Sequence, residues 1–584
     1  MSEIRDKTSC SMLSSLNPEQ LKAATCDAGH VLVLAGPGTG KTRVLVARAA
    51  WLLENTVSKS ISAITFTNQA ANEMSLRIKA IGLNTERLSV STFHQLALKA
   101  LVEDPAYSRD LIDEQDARRL CLKAARSVGL SARECRSVCS KMLKSRDADE
   151  PDLCLVRQEY LRMLDSYGFV DFDSLLSRFL TFLRSLTGMS FCAGISHLLV
   201  DEFQDVSPIQ YDIVLEMARH GVKVFAIGDP DQAIYGFRGA DPKLVYKLTE
   251  DLQGVVQISL QDAYRSGQNI LDAAANVVRR RPLLSKARHG GEIFLISFPS
   301  PNTEANWIVR KIEEITGGLS MDAMECIGHT SDISLSDIAV LYRVNQMAIP
   351  LEKALLHSGI PFIRSDKKSP LSDPEIRWIY TLWQAVRSNR PEFFLEQLPG
   401  KTSEWIDKFQ DIKSGIDRLR GREAILAIIK LLGLDINRPV LSVLLSMAHQ
   451  FDGPHDMSIS MRNPQDILGI SFEGIRLLSL HAAKGLEFSH VFIVGCEDGL
   501  LPLADSDMDE ERRLLYVGLT RAKDQVFLTA SSKRPAWISK GHSGRKSPFL
   551  DLIPSKLVTE LSCAKKGRCR KKASRSGGVQ HSLF

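Results

Sequence analysis

The chain has 584 residues, of which 44% are hydrophobic and 24% are charged, as is ordinary for a globular protein. Its length exceeds what one hydrophobic core supports and predicts about three to five domains. The net charge of +5 comes from 74 basic and 69 acidic residues, so charge alone indicates no class of partner. No apolar run approaches the ~18 residues of a membrane span, and the start, MSEIRDKTSC, lacks the apolar core of a signal peptide. These features predict a cytoplasmic or nucleoid-associated protein with reduced thiols.

A helix is predicted at residues 16–24, LNPEQLKAA, with Asn17 as its N-cap and Pro18 at its first position. The amide of Gln20 has a donor and an acceptor, which suit the edge of adenine. Without its sequence context, Gln20 would be expected to be an ordinary surface glutamine. Its place just upstream of a phosphate loop makes it a candidate for reading the base.

A phosphate-binding loop is predicted within residues 31–42, VLVLAGPGTGKT. The apolar residues 31–34 favour a buried strand, and the run 43–54, without Gly or Pro, favours a helix. Glycines between them let N–H groups approach phosphate oxygens, and the helix N-terminus adds positive charge. Lys41 is expected to reach the β and γ phosphates and Thr42 to ligate Mg²⁺. Although Ala35 replaces the usual first glycine, we expect a nucleoside triphosphate to be bound by Gly36, Pro37, Gly38, Thr39, Gly40, Lys41, Thr42 and Arg43.

Strand–loop–helix units recur downstream and predict a doubly wound α/β sheet, whose loops at the carboxyl ends of strands face ligand. The buried strand in ISHLLVDEFQD ends at Asp201 and Glu202. Asp201 suits a metal position and Glu202 the polarisation of the attacking water. Gln232, in a loop after the next strand, is expected to contact a γ-phosphate.

Aromatic and polar side chains also stand at these strand ends: Phe66, Thr67 and Asn68 after one strand, and Thr92, Phe93 and His94 after another. Core packing is the alternative for each aromatic ring. Tyr235, Phe237 and Arg238 combine stacking faces with a cation, which single-stranded nucleic acid favours at about 1–3 kcal/mol per stacked base.

The chain carries, in order, Gln20, AGPGTGKT, TFTNQAANEM, STFH, VDEFQD and GDPDQAIYGFRGA. These segments resemble the successive motifs of the UvrD/Rep/PcrA group of superfamily 1 DNA helicases. The second half resembles motif IV and the segment after it, and then motifs V and VI, in LQDAYRSGQNIL, IAVLYRVNQ, LLSLHAAKGLEFSHVFIVGCEDGLLP and EERRLLYVGLTRAK. The resemblance runs from residue 16 to residue 554, and only residues 100–165 and 366–465 resemble little beyond generic helix.

The resemblance implies two RecA-like α/β domains in tandem, each with a helical insertion, with ATP and Mg²⁺ in the cleft between them. Tyr264 would stack on adenine and Glu487 would contact the ribose. Arg265 and Arg521 would reach the γ-phosphate from the second domain and join Glu202 and Gln232 as the catalytic set; such arginines are typically worth about 10³–10⁵ in rate. Movement along single-stranded DNA would be 3′→5′. The implied DNA contacts are Phe66, Thr67, Asn68, Thr92, Phe93, His94, Tyr235, Phe237, Arg238, Asn345, His481 and Lys484.

The predicted domain boundaries follow from the motifs. The first RecA-like domain comprises residues 1–95 and 190–260, with a helical insertion at 96–189. The second comprises residues 261–365 and 466–560, with a helical insertion at 366–465. A basic tail at 561–584, predicted to be disordered, contains Lys565, Lys566, Arg568, Arg570, Lys571, Lys572 and Arg575. Nonspecific DNA binding is its expected role, with solubilisation as the alternative.

Three departures from the family pattern are visible. Gln69 stands where the family commonly has Lys, and Phe237 where it has Trp. The second insertion is shorter than usual and lacks the glycine-containing motif that binds duplex DNA. These departures bear on strand separation more than on ATP hydrolysis.

The sequence therefore predicts an ATP- and Mg²⁺-dependent DNA helicase or translocase in repair or replication, acting on single strands and their junctions with duplex. One alternative is a translocase that strips proteins from single strands. Another is an ATP-driven subunit of a repair or defence complex that needs a partner such as a nuclease or repair factor. RNA is an alternative track.

Cys121, Cys135, Cys139 and Cys154 are interpreted as helical cysteines rather than a cluster site, because no C-x-x-C pair occurs.

Overall fold

The computed structural model of the chain describes residues 12–56, 59–82, 84–102, 109–142, 151–287, 290–317, 333–364, 370–400, 402–461, 473–504, 506–535, 544–563 and 569–571. They form two largely parallel β-sheets flanked by helices, and a helical region built from two separate chain segments. Within these residues, no helix is both long enough and apolar enough to cross a bilayer.

The first sheet has six strands, and all neighbouring strands are parallel. Alternate residues of the strand His30–Ala35 face different cores: Leu32 packs in one, and Val31 and Val33 in another. Both faces are therefore covered, which explains the continuous apolar sequence of this strand. In spatial order the strands are Leu88–Ser91, Ser60–Ile64, Ile195–Val200, Lys223–Gly228, His30–Ala35 and Val255–Leu260. The accompanying helices are Pro18–Thr25, Lys41–Asn55, Asn68–Lys79, Phe93–Val102, Pro208–Arg219 and Leu244–Asp251.

The second sheet has eight strands, parallel except for an antiparallel pair at one edge. Val340 and Leu341 of the inner strand Ile338–Tyr342 again face different cores. In order the strands are Phe362–Arg364, Ile475–Ser479, Ile338–Tyr342, Phe488–Val494, Ala522–Ser531, Glu292–Phe298, Val558–Cys563 and Cys569–Lys571. The accompanying helices are Gln268–Val277, Pro301–Ile315, Ala348–His357 and Met508–Leu519. The fold class predicted from sequence, α/β with two RecA-like domains in tandem, is confirmed.

Short elements complete the two domains. Two small parallel ladders pair Asp110–Leu111 with Phe169–Val170, and Asp262–Ala263 with Leu284–Ser285. Single 3₁₀ turns occupy Phe203–Asp205, Pro230–Gln232, Gly236–Arg238, Leu335–Asp337, Asn345–Met347, Pro370–Ser372, Ala448–Gln450, Pro548–Leu552 and Ser555–Leu557.

The helical residues inserted into the two domains share one hydrophobic core, which we call the joint helical core: residues 112–169 and 371–461. Trp383 and Phe394 of the second insertion pack in the same cluster as Leu120 and Phe169 of the first. The helices are Glu114–Ser127, Ala132–Met142 and Pro151–Tyr167, then Pro374–Arg387, Pro391–Leu395, Thr402–Ile416, Gly421–Leu431, Pro439–Met447 and Pro454–Met461. Two more, Phe172–Leu183 and Leu186–Ala193, lead back to the first sheet. Cys121, Cys135 and Cys139 are buried in this core, whereas Cys154 is exposed.

A buried ion cluster joins the two insertions. The guanidinium of Arg377 bonds to Asp113, and to Asp116 at 2.7 Å, across the joint helical core. Gln384 donates to the Leu111 carbonyl at 2.8 Å and Ser388 to Asp110 at 2.7 Å. The second insertion is therefore fastened to the first by polar as well as apolar contacts, which the sequence did not indicate.

The start of the basic tail differs from the expected residue 561. The strand Val558–Cys563 pairs with Glu292–Phe298 of the second sheet and with the short strand Cys569–Lys571. Arg570 and Lys571 thus belong to a sheet edge, while Lys565, Lys566, Arg568, Lys572 and Arg575 lie outside the described residues.

Candidate nucleotide-binding and nucleic-acid site

The predicted phosphate loop connects the buried strand His30–Ala35 to the helix Lys41–Asn55. Gly38 and Gly40 have φ of 72° and 85°, in the left-handed region that favours glycine. A Cβ atom on Gly38 would lie 2.7 Å from the Cβ of Arg265, so the second domain closely approaches the loop. Thr39 is buried and donates to the Gly36 carbonyl at 2.9 Å, which closes the turn that also contains Pro37.

Gln20 is buried against this loop. Its Nε2 donates to the Thr39 carbonyl at 2.8 Å, and its Oε1 accepts from the Asn17 amide at 3.2 Å. The second bond forms part of the capping box of helix Pro18–Thr25. Both ends of the amide that sequence analysis assigned to adenine are therefore engaged with the protein, and Gln20 supports the loop.

Asp201 and Glu202 follow the buried strand Ile195–Val200, as predicted. Glu202 has φ of 47°, rare for a residue with a side chain, and its Oε2 lies 3.4 Å from Lys41 Nζ. Burial and the neighbouring Glu202 raise the pKa of Asp201 to about 7. Burial acts in the same direction on Glu202, but the cations Lys41 and Lys484 outweigh it and hold the pKa of Glu202 at about 2. Glu202 therefore stays ionised, whereas the nearby cations do not offset the effect of burial on Asp201.

Gln232 lies where the two domains meet. Its Nε2 donates to Asp229 at 2.7 Å, and its Oε1 accepts from Arg521 of the second domain at 3.3 Å. Arg521 is buried and also donates to the carbonyls of Val517 and Leu486. Burial, followed by repulsion from Arg265, lowers the pKa of Arg521 to about 9. The structure thus brings together two of the four predicted catalytic residues through a direct bond.

The remaining second-domain residues line a cleft of about 790 Å³ in front of the loop. Arg265 Nε bonds to Glu487 at 2.7 Å, and Lys523 lies 3.0 Å from the same carboxylate. The ring of Tyr264 is half-exposed, and its hydroxyl accepts from Asn17 at 2.9 Å. Lys41, Thr42 and Arg43 form the opposite wall, and Arg43 also donates to Ser15. The cleft has the size and the cationic lining that a nucleoside triphosphate requires.

An aromatic row crosses the domain interface. Phe66 stacks on Tyr235 with ring centroids 5.0 Å apart, and Tyr235 meets the edge of Phe237 at 6.0 Å. Phe237 meets His481 of the second domain at 5.4 Å, nearly perpendicular. Phe237 is 62% exposed, whereas Tyr235 is buried. We call these four residues the aromatic row; Phe237 is its exposed member.

The other residues assigned to DNA contact are placed differently. Thr67 and Thr92 accept hydrogen bonds as caps of the helices that follow them, and Asn68 is buried. His94 lies against the edge of Phe172 at 5.7 Å. Asn345 is exposed in a 3₁₀ turn after strand Ile338–Tyr342. The side chain of Arg238 lies outside the described part of the chain.

Two of these DNA assignments conflict with the structure. Phe93 packs in the core of the first domain, because its helix turns the ring inward, away from solvent. Lys484 is enclosed at the domain interface with 5% exposure, where its Nζ bonds to Asp205 at 2.5 Å and to the Gln232 carbonyl at 2.6 Å. An enclosed, paired cation cannot serve as an open phosphate contact, so Lys484 is an interdomain residue.

Sequence reasoning missed the residues that connect these groups. Asp229 accepts hydrogen bonds from Gln232, Arg280 and Tyr516, and Asp205 pairs with Lys484. Both carboxylates lie in the predicted motifs, Asp229 close in sequence to Gln232 and Asp205 close to Glu202. That proximity could have identified them as residues of the site. Arg280 stands in an Arg triplet after helix Gln268–Val277, and nothing in the sequence separates it from its two neighbours.

A phosphate loop, paired carboxylates and arginines from a second parallel-sheet domain define a two-domain P-loop enzyme with its cleft at the domain interface. Comparison with known proteins identifies the family. Residues 16–253 match the UvrD/REP helicase N-terminal domain, and residues 258–398 and 449–533 match the UvrD-like helicase C-terminal domain. The chain belongs to the UvrD/Rep/PcrA family of ATP-dependent DNA helicases, as the sequence motifs predicted.

Relatives are similar along almost their whole length. DNA helicase II of Escherichia coli (strain K12) is 30% identical over 94% of this chain and 89% of its own. ATP-dependent DNA helicase Rep of Buchnera aphidicola is 28% identical over 94% of this chain and 98% of its own. ATP-dependent DNA helicase PcrA of Leuconostoc citreum is 28% identical over 96% and 88%.

Proposed function

We propose that this enzyme moves 3′→5′ along single-stranded DNA and couples ATP hydrolysis to duplex unwinding in DNA repair or replication. The observation that carries the proposal is one loop, residues 229–238. It places Gln232 against Arg521 in the nucleotide site and Phe237 on the exposed aromatic row. Because the loop is short, a displacement of Gln232 would also displace Phe237. Coupling of the nucleotide site to the DNA site requires such a link. The direction of movement and the pathway rest on family resemblance.

ATP binding is assigned to the phosphate loop and the cleft that faces it. Lys41 would exchange its 3.4 Å contact with Glu202 for the β and γ phosphates. Glu202, with its low pKa, is ionised at neutral pH and would accept a hydrogen bond from the attacking water and polarise it. Arg265 and Arg521 would neutralise charge on the γ-phosphate as the second domain closes.

A magnesium ion fits the donor set at the loop. Thr42 supplies a hydroxyl at the start of its helix, and Asp201 a buried carboxylate. Burial, and then repulsion from Glu202, raise the pKa of Asp201, and a divalent cation beside this carboxylate would favour its ionised form. Bound there, Mg²⁺ would neutralise charge on the phosphates. Mg²⁺ use therefore forms part of the proposal.

The single strand is expected to cross the aromatic row, where bases stack on Phe237 without sequence preference. His481 and Asn345 would contact the strand from the second domain. Phosphate contacts of this kind give strong salt dependence and little base specificity. Because DNA is the track, we place the enzyme with the nucleoid in the cytoplasm.

One observation favours a second candidate function, translocation without unwinding by the chain alone. The second insertion is packed into the joint helical core and held there by Arg377. An insertion fixed in this way has less freedom to engage duplex. Strand separation would then require a partner, such as a nuclease or a repair factor.

The decisive experiment measures ATP hydrolysis and unwinding of 3′-tailed and 5′-tailed duplexes. It uses wild type, Lys41→Ala and Glu202→Gln, with Lys79→Ala and Glu250→Gln as controls at exposed positions outside the site. We expect DNA-stimulated hydrolysis and unwinding of the 3′-tailed duplex only, lost in both site variants and kept in both controls. Hydrolysis without unwinding would favour the second candidate, and wild type without DNA-stimulated hydrolysis would refute both.

A further inference from the structure

Arg280 occupies a position that the assignments above leave unused. Its Nη1 donates to Asp229 Oδ1 at 3.0 Å and to Asp231 Oδ2 at 2.7 Å. Its guanidinium lies 5.1 Å from the ring centroid of Tyr516. A Cβ atom on Gly36 would lie 2.6 Å from Arg280 Nη2. One side chain therefore touches the phosphate loop, the loop of Gln232 and the helix that leads to Arg521.

The local backbone directs Arg280 to this place. Helix Gln268–Val277 ends in a turn in which the amide of Arg280 donates to the Ala275 carbonyl at 3.0 Å. Arg279 adopts φ of 58° at the position of this turn that glycine usually occupies. A non-glycine residue in the left-handed region is unfavourable and persists where the surrounding structure requires it.

A continuous chain of hydrogen bonds leads from Arg280 to the γ-phosphate residues. Arg280 bonds to Asp229, Asp229 accepts from Gln232 Nε2 at 2.7 Å, and Gln232 Oε1 accepts from Arg521 at 3.3 Å. Tyr516 donates to the same Asp229 carboxylate at 3.2 Å. Because an amide bonded at Nε2 presents Oε1 in one direction, the carboxylate sets the orientation of Gln232.

Asp229 needs a cation to play this part. It is 2% exposed, and Arg280 is the cation that directly contacts it among the residues the structure describes. Without Arg280, the buried Asp229 carboxylate would lose the guanidinium that fixes its position, and the Gln232 amide would lose a fixed acceptor. Arg280 reaches Gln232 through Asp229, which bonds to both side chains.

We propose that Arg280 is a positioning residue for ATP hydrolysis, which fixes the Asp229 carboxylate in place and thereby orients Gln232 and Tyr516 between the two domains. The inference rests on the proposed hydrolysis of ATP at this site. It predicts that loss of Arg280 lowers the rate of hydrolysis and leaves nucleotide affinity unchanged.

The test compares Arg280→Met, which keeps the aliphatic stem over Tyr516, with Arg280→Lys, which keeps the charge. Both carboxylate contacts are made by Nη1, so a lysine ammonium, although one bond shorter, retains a cation beside Asp229 and Asp231. Arg281→Met removes the same charge from the adjacent exposed residue and is the matched control. The measurements are kcat and KM for ATP with saturating single-stranded DNA, the Kd for a fluorescent ATP analogue, and thermal unfolding.

We expect Arg280→Met to lower kcat about 100-fold, as misplacement of a catalytic group by about 1 Å does, with an unchanged Kd. Arg280→Lys should recover most of that loss, and Arg281→Met should match wild type. An unchanged kcat in Arg280→Met, or an equal loss in Arg280→Lys, would overturn the inference. A loss of affinity equal to the loss in kcat would also overturn it.

Failure of the proposed function and misfolding of the Arg280 variant give different results. Wild type that binds the analogue without hydrolysing ATP would contradict the proposed function before any variant is compared. If Arg280→Met does not fold, Asp231→Asn removes one of the two negative charges paired with Arg280, at a half-exposed site. That variant should show a smaller fall in kcat with unchanged Kd, and a wild-type kcat there would overturn the inference.

Discussion

The ion cluster in the joint helical core gives the sharpest stability prediction. Arg377 bonds to Asp113 and Asp116, and Asp116 is 0% exposed. Arg377→Met keeps the apolar stem but leaves two carboxylates without their cation. Removing one partner of a buried ion pair typically costs about 3–5 kcal/mol, because the remaining charge stays desolvated. Local opening of the joint helical core should therefore become easier by roughly 100-fold or more.

Hydrogen exchange resolved by peptide measures this opening without assuming that so large a chain unfolds in one step. Amides of both Glu114–Ser127 and Pro374–Arg387 should exchange faster, since the two helices belong to different insertions but one core. Arg387→Met on the same helix is the matched control. Its side chain is 33% exposed, so a change of about 0–1 kcal/mol is expected.

The effect should also depend on pH. Burial, followed by repulsion from Asp113, raises the pKa of Asp116 to about 7 in the folded chain, above its ordinary value of 3.8. The folded state then binds the proton more tightly than the unfolded state, so stability from this group falls as pH rises through that interval. Without Arg377 the pKa of Asp116 rises further, and the difference from wild type should grow between pH 6 and pH 8. Asp116→Asn should restore most of the protection lost in Arg377→Met.

Two results would refute this reasoning. Faster exchange confined to Pro374–Arg387 would mean that the two insertions open separately and do not share a core. Equal exchange in Arg377→Met and Arg387→Met would mean that the buried cluster contributes no more than a surface pair.

Three further predictions concern the site. Phe237→Ala should weaken single-stranded DNA binding by about 1–3 kcal/mol in fluorescence anisotropy, while Phe237→Trp should not; equal affinity of all three proteins would refute the stacking role. Gly38→Ala places a Cβ atom 2.7 Å from Arg265 at φ of 72° and should abolish measurable binding of an ATP analogue. Gly82→Ala, at φ of 77° in open space, should bind normally; equal binding by both variants would contradict the steric argument. Lys484→Met should reduce the stimulation of ATP hydrolysis by DNA about 5- to 150-fold, the factor that corresponds to typical coupling free energies between two sites. Unaltered stimulation would contradict the interdomain role of Lys484.

Much of the nucleotide site was predictable because its chemistry depends on local sequence. A glycine turn between a buried strand and a helix creates a phosphate loop wherever it occurs, so Lys41 could be assigned without tertiary information. Asp201 and Glu202 followed from the carboxyl end of a buried strand. The tandem α/β class followed from recurring strand–loop–helix units and family motifs.

Residues whose roles depend on distant partners could not be assigned in this way. Lys484 was expected near DNA or the cleft, but whether it faces solvent depends on Asp205, which lies far away in the chain. Gln20 has an amide suited to adenine, yet the folded chain uses that amide to support Thr39. Phe93 required the core around its helix to be known before its ring could be placed.

By itself, the sequence determined the phosphate loop, through a short-range pattern of burial and glycine geometry. It also determined the family, and with it the two RecA-like domains, through the order of its motifs. Only the tertiary structure decided that two insertions far apart in the chain fold around one core and that Arg377 joins them. It alone distinguished Arg280 from Arg279 and Arg281, because three adjacent arginines are equivalent until a turn directs one guanidinium toward Asp229. Hydrophobic periodicity reports which residues are buried, but not which distant residues they are buried against.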